Sequence, residues 1–136
     1  AAVLMTEAVA APIKPGHHGT TFGGGPLVAH VANKIFTTIA NDFFLQTVRE
    51  RGAELTTMLR NVASPVLEEV RGAGLMIGVK VGVPPAMVVQ QCLEEGLLVV
   101  PSADRIVRFL PPLTVDKETL AEAVNRFASA LKTCES

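Results

Sequence analysis

Cysteine and histidine are scarce in this sequence, and no charge of one sign prevails. Its 136 residues hold two cysteines, Cys92 and Cys134, and three histidines, His17, His18 and His30. Two cysteines this far apart build no disulfide framework. Scattered histidines with no Cys cluster offer no zinc ligand set and no metal or catalytic-triad spacing. Twelve Lys and Arg against thirteen Asp and Glu leave a net charge of −1. That balance lacks the basic footprint of a nucleic-acid or anionic-membrane binder. Long apolar runs are missing too: stretches such as Leu97 to Pro101 fall far below the roughly 20 residues of a membrane span. No basic segment opens the chain as in a signal peptide. Hydrophobic residues nevertheless make up 49%, which excludes global disorder and gives one domain of ordinary size ample core material.

The chain begins without Met, and Ala1-Ala2-Val3-Leu4-Met5 reads as an apolar strand with no lead-in. The expectation is a piece of a longer protein. Thr6 to Ile13 reads as a short helix with Thr6 as its N-cap. Lys14 to Pro26 is a loop, rich in Gly and Pro. Pro26 then suits the first turn of a helix, in which Val28, Val31, Ile35 and Ile39 recur at helical steps. Asn41-Asp42 breaks it, and Asp42 is expected to cap a second helix running to about Ala63. Phe44, Val48, Leu55, Met58, Leu59 and Val62 lie on one face of that helix. Gly52 inside it costs up to about 1 kcal/mol against Ala, which points to a kink or to close packing.

After Ser64-Pro65 the character changes. Val66 to Val70 and Leu75 to Val81 read as strands separated by Arg71-Gly72-Ala73-Gly74. Pro84-Pro85 opens a helix to Glu95, with Gly96 as its stop. Leu97 to Val100 and Ile106 to Leu110 read as strands joined by the turn Pro101-Ser102-Ala103-Asp104. A last helix starts at Asp116, with a Val115–Leu120 staple and a stripe of Leu120, Ala123, Val124, Phe127, Ala130 and Leu131. The order β-β-α-β-β-α describes an α+β unit with helices on one face of a small sheet. Residues 1–64 close no obvious core and look like the end of a larger α/β domain.

Three stretches can carry chemistry. In His17-His18-Gly19-Thr20-Thr21-Phe22-Gly23-Gly24-Gly25-Pro26-Leu27, two hydroxyls and three glycines precede a helix start. Such a segment can hold a phosphate through backbone N–H groups and the helix dipole, or be a flexible turn. It is neither a P-loop nor the dinucleotide fingerprint. Arg108, in Val107-Arg108-Phe109-Leu110-Pro111-Pro112-Leu113, either offers a planar fork to a carboxylate or merely points outward from a half-exposed strand. Arg71-Gly72-Ala73-Gly74 reads as a structural connection. Cys92 reads as core and Cys134 as part of a frayed tail.

Together these motifs resemble, in order and over essentially the whole chain, the C-terminal part of the class III pyridoxal-phosphate aminotransferases. The segments that carry the resemblance are Ala2-Val3-Leu4-Met5-Thr6-Glu7, His18-Gly19-Thr20-Thr21-Phe22-Gly23-Gly24-Gly25-Pro26-Leu27, Val70-Arg71-Gly72-Ala73-Gly74-Leu75-Met76-Ile77-Gly78, Gly96-Leu97-Leu98 and Val107 to Leu113. Within that family the motifs resemble those of the acetylornithine aminotransferases.

The resemblance implies a type I PLP-enzyme fold, with residues 1–64 ending the large cofactor domain and 65–136 forming the small C-terminal domain. It implies that Thr21 reaches the cofactor phosphate of the neighbouring subunit of a homodimer. Thr20 should lie near the substrate, and Arg108 should meet the substrate's α-carboxylate. Amino acids and 2-oxo acids are the implied substrates, in arginine synthesis. The cytoplasm is the implied compartment, or an organelle if a transit peptide precedes the chain. Other class III activities, on ornithine, 4-aminobutyrate or succinylornithine, stay open, as does a free-standing α+β ligand-binding or regulatory module. The family's Schiff-base lysine is expected before Ala1, since Lys14, Lys34, Lys80, Lys117 and Lys132 match no such motif. The 136-residue chain alone is therefore expected not to transaminate. Gly25 stands where the family usually has Asn, and it lacks a side chain to fix the loop.

Overall fold

The computed structural model describes residues 3–135. The chain divides into two units, Ala1–Phe44 and Leu45–Ser136. In the first, Thr6 takes an extended conformation (φ −75°, ψ 160°) and precedes helix α1, Glu7–Ala10. A short helix here follows from the Glu in its first turn, but the Thr6 side chain makes no capping bond. The strand expected over residues 1–5 does not form at Val3–Met5, while Ala1 and Ala2 lie outside the described residues. A strand exists only against a neighbour that takes its N–H and C=O groups, and no described segment pairs with Val3–Met5. Helix α2, Pro26–Ile39, starts with Pro at its first turn and Gly25 as N-cap. Pro is suited there because its missing N–H would have no intrahelical acceptor. No residue of α1 or α2 is buried, and the stripe of Val28, Val31 and Ile35 stays about half exposed.

Helix α3, Asp42–Arg60, opens at the unit boundary. Its cap is Asn41, not Asp42: the Asn41 Oδ1 accepts the Phe44 N–H at 3.1 Å. Asp42 instead occupies the first turn, where a negative charge suits the helix dipole. From Leu45 onward α3 belongs to the second unit and contributes Leu55 and Leu59, both fully buried, to its core. Gly52 supplies close packing: a Cβ there would collide with the carbonyl oxygen of Gly74.

The second unit follows the expected β-β-α-β-β-α order. Strands β1 (Leu67–Ala73), β2 (Met76–Val81), β3 (Val100–Ser102) and β4 (Ile106–Phe109) form an antiparallel sheet in the order β1-β2-β4-β3. Arg71 to Ala73 are strand, not connection. The β1–β2 turn is only Gly74-Leu75, because Ala73 already pairs with Met76 and Gly74 takes the positive φ (+54°) that a two-residue hairpin needs. Likewise Pro101 and Ser102 pair with β4 rather than turn, which Pro tolerates on an edge strand. The strand expected over Leu97–Val100 shifts to Val100–Ser102, since Gly96 and Leu97 are spent closing helix α4, Pro85–Glu94. The Leu97 N–H reaches the Cys92 carbonyl and the Gly96 N–H reaches that of Leu93. With Gly96 at φ +75° this is the Schellman closure.

Helix α5, Lys117–Thr133, is capped by Asp116, whose carboxylate accepts the Thr119 N–H at 2.7 Å. Leu120, Val124, Phe127, Ala130 and Leu131 of α5 pack with Val88 and Cys92 of α4 onto one face of the sheet, against Val70, Ile77, Val79, Val81, Val107 and Phe109. Each such buried aliphatic or aromatic side chain contributes about 1.5–3 kcal/mol. Phe109 and Phe127 meet edge to face at 5.0 Å. Cys134 is buried in the same core rather than frayed. Among the described residues no helix is long and apolar enough to cross a membrane.

Candidate functional site

The loop before α2 holds Thr20 and Thr21 with their side chains exposed, and no hydrogen bond within the described residues occupies either hydroxyl. Its shape depends on two glycines for separate reasons. Gly24 adopts φ +77°, a region that other residues enter only at a cost. Gly23 lies under Thr20, whose Cγ2 a Cβ at position 23 would strike. Gly25 is the N-cap of α2 and offers no side-chain bond to the first free N–H groups. The segment thus presents two unengaged hydroxyls and, a few residues on, unpaired helix-terminal N–H groups. That donor set suits a phosphate.

In the second unit, Arg108 sits on β4 between Val107 and Phe109, which are 0% and 4% exposed and face the helices. Alternation places Arg108 on the opposite, helix-free face. It is half-buried there, and its Nε is shut off from solvent without a hydrogen-bond partner. A buried N–H left unpaired costs about 1–3 kcal/mol or more when charged, so this group is incomplete as it stands. The strand ends one residue later, and Pro111-Pro112 supply no N–H to extend it.

The same face shows what the sequence reading missed. Arg71 pairs with Gly78 across β1–β2. Gly78 pairs with Arg108 across β2–β4. Arg71, Gly78 and Arg108 therefore form one row. They line a cleft of about 490 Å³ that Ser102, Asp104 and Ile106 also border. The signal lay in the hairpin: a turn centred on Gly74-Leu75 forces 71 opposite 78.

The lysines expected to carry no cofactor chemistry are engaged or exposed. Lys80 pairs with Glu68 at 2.9 Å and Lys117 with Glu54 at 2.6 Å. These cations, with Arg105 on Glu68 and Arg51 on Glu54, hold both carboxyls below their ordinary range. Burial, with Cys134 and Glu95 adding to it, pushes the Cys92 thiol up to about 12. A thiol that stays protonated is no nucleophile. No group of His, Cys, Asp or Glu among the described residues could hold a metal ion.

Residues 1–131 match the model of the aminotransferase class-III family. The chain belongs to this family. It is 37% identical to the acetylornithine aminotransferase of Rhodobacter capsulatus over 99% of its own length and 35% of that protein's. It is 37% identical to that of Bacillus subtilis over 96% of its length and 34% of the relative's. The crystal structure of an ornithine aminotransferase from Toxoplasma gondii superposes with a TM-score of 0.76 at 33% identity, covering 93% of this chain and 32% of the other. The chain thus spans about a third of the length of the curated relatives it matches. Its fold is that of the corresponding part of these aminotransferases, a helical segment followed by an α+β unit with a four-stranded antiparallel sheet.

Proposed function

We propose that this chain serves a pyridoxal-phosphate-dependent transaminase that passes an amino group from N-acetylornithine to 2-oxoglutarate in arginine synthesis. The observation that carries the reading is Arg108: a guanidinium at a strand end, its Nε buried and unpartnered, in a chain of this family. Such a fork gives a carboxylate two parallel N–H bonds and fixes the substrate's orientation. Ornithine as the donor is the second reading, supported by the likeness to the T. gondii structure.

The loop residues fit the cofactor's phosphate. Thr21 donates its hydroxyl to a phosphate oxygen of the cofactor bound by the neighbouring subunit of a homodimer, and Thr20 stands beside the substrate. In this reading the large domain ends within residues 1–64 and 65–136 form the small one, with α3 from Leu45 onward packed into the small domain's core. The bound cofactor would supply an electron sink for the carbon that bears the transferred amine, Cδ of N-acetylornithine and Cα of the amino acid formed from 2-oxoglutarate. The lysine that carries it is placed outside residues 1–136, since the five lysines here lie in no matching motif. Arg108 holds the α-carboxylate of 2-oxoglutarate, or of the amino acid formed from it, while the proton at that Cα moves.

In the complete enzyme, Thr21→Ala removes a charge-assisted hydrogen bond worth about 1.5–3 kcal/mol. Pyridoxal phosphate affinity should fall about ten- to a hundredfold, with a smaller change in turnover at saturating cofactor. Equilibrium dialysis of the cofactor checks it. An unchanged dissociation constant removes Thr21 from the phosphate site.

A further inference from the structure

We infer that Arg71 is a second arm of the Arg108 site, so that one substrate carboxylate is held between two guanidinium groups above Gly78. This rests on the reading of Arg108 as a carboxylate ligand and adds a residue to it. The register carries the argument: Arg71 opposes Gly78, and Gly78 opposes Arg108, all on the helix-free face of the sheet. Two strand spacings separate the arginine backbones by about 9–10 Å. That span admits one carboxylate with an N–H···O contact of about 2.8 Å on each side. The residue between them has no side chain, and an Ile106 methyl group lies 3.0 Å from where its Cβ would sit, so the floor of the cleft is apolar and narrow. Neither arginine has an ion pair or hydrogen bond with a described residue, and the Arg108 Nε is both buried and unpaired. Asp104 is the one carboxylate bordering the cleft, and it pairs with neither. Two guanidinium groups against one carboxylate leave the cleft net positive. Arg71 is exposed where Arg108 is half-buried. Arg108 is therefore the arm set into the sheet, and Arg71 the arm open to solvent.

The test uses the chain itself, labelled with 15N, and follows the Nε–Hε resonances of Arg71 and Arg108. Sodium acetate is titrated against sodium chloride at equal ionic strength. Saturable shifts of both resonances with acetate alone are expected. Arg71→Gln should weaken acetate binding at least fivefold, with the backbone spectrum of the core unchanged and the Arg108 resonance still responding. Arg71→Lys should recover only part of the affinity, because an ammonium keeps the charge but not the fork. A response at Arg108 with an unmoved Arg71 and unchanged affinity in Arg71→Gln would overturn this inference and leave the Arg108 reading standing. Equal responses to acetate and chloride, or none at either arginine, would overturn both.

Discussion

At position 52 a side chain of one hydrogen sets how closely α3 approaches the β1–β2 turn. Gly costs a helix up to about 1 kcal/mol relative to Ala, so an exposed glycine there would be improved by substitution. Here the added Cβ would meet the backbone carbonyl of Gly74, which cannot rotate away as a side chain end would. Overpacking of this kind costs about 1–3 kcal/mol. Gly52→Ala should therefore lower the urea midpoint despite the better helix propensity, and a raised midpoint would contradict the contact. The sequence alone left Gly52 open between a kink and close packing, because the partner is a backbone atom 22 positions away. Arg108 was legible for another reason. Its apolar neighbours Val107 and Phe109 fix which face of the strand it takes. The place of Arg71 beside it was not, because that depends on cross-strand register, which one misplaced turn hides.

Among the elements, α5 shows how a local signal becomes a pH dependence. Hydrogen bonds from Thr119 hold the Asp116 carboxyl below its ordinary value of 3.8. A carboxyl with a lowered folded-state pKa stabilises the fold above its ordinary pKa, and that contribution is lost as pH falls through the folded value. Asp116→Ala should lower Tm at neutral pH, and its difference from the parent should shrink as pH drops below about 4. Asp116→Asn should keep the cap and lose this pH dependence. Thermal melts from pH 2 to 7 check both; a gap that stays constant with pH would contradict the charged cap. Asp116 was readable because Val115, Asp116 and Leu120 agree on one start. At Asn41-Asp42 two cap residues adjoin, and sequence has no means of choosing between them. The strands of the second unit were read with their ends displaced by a few residues, since Gly72 and Pro101 look like breakers. They are tolerated because one lies in a hairpin arm and the other on an edge.

For the whole molecule, the contrast between the two units is the main physical fact. The second has a closed core around Phe127, and no residue of α1 or α2 in the first is buried. Helices draw most of their stability from a buried face. In the isolated chain the amides of α2 should thus exchange with solvent far faster than those of α5 and β2. Hydrogen exchange read by NMR checks this, and equal protection would mean that α2 is covered after all. The expectation that residues 1–64 close no core of their own came from composition and periodicity, which report an apolar stripe without saying what covers it.

The most direct measurement is made on the complete enzyme carrying Arg108→Lys, with two amino donors compared on the same preparation. One is an α-amino acid, and the other is a primary amine without an α-carboxylate. If Arg108 holds that carboxylate, kcat/KM for the amino acid should fall at least about tenfold, or about 1.4 kcal/mol, with a much smaller loss for the amine. Equal losses on both donors, or none on either, would contradict the carboxylate role.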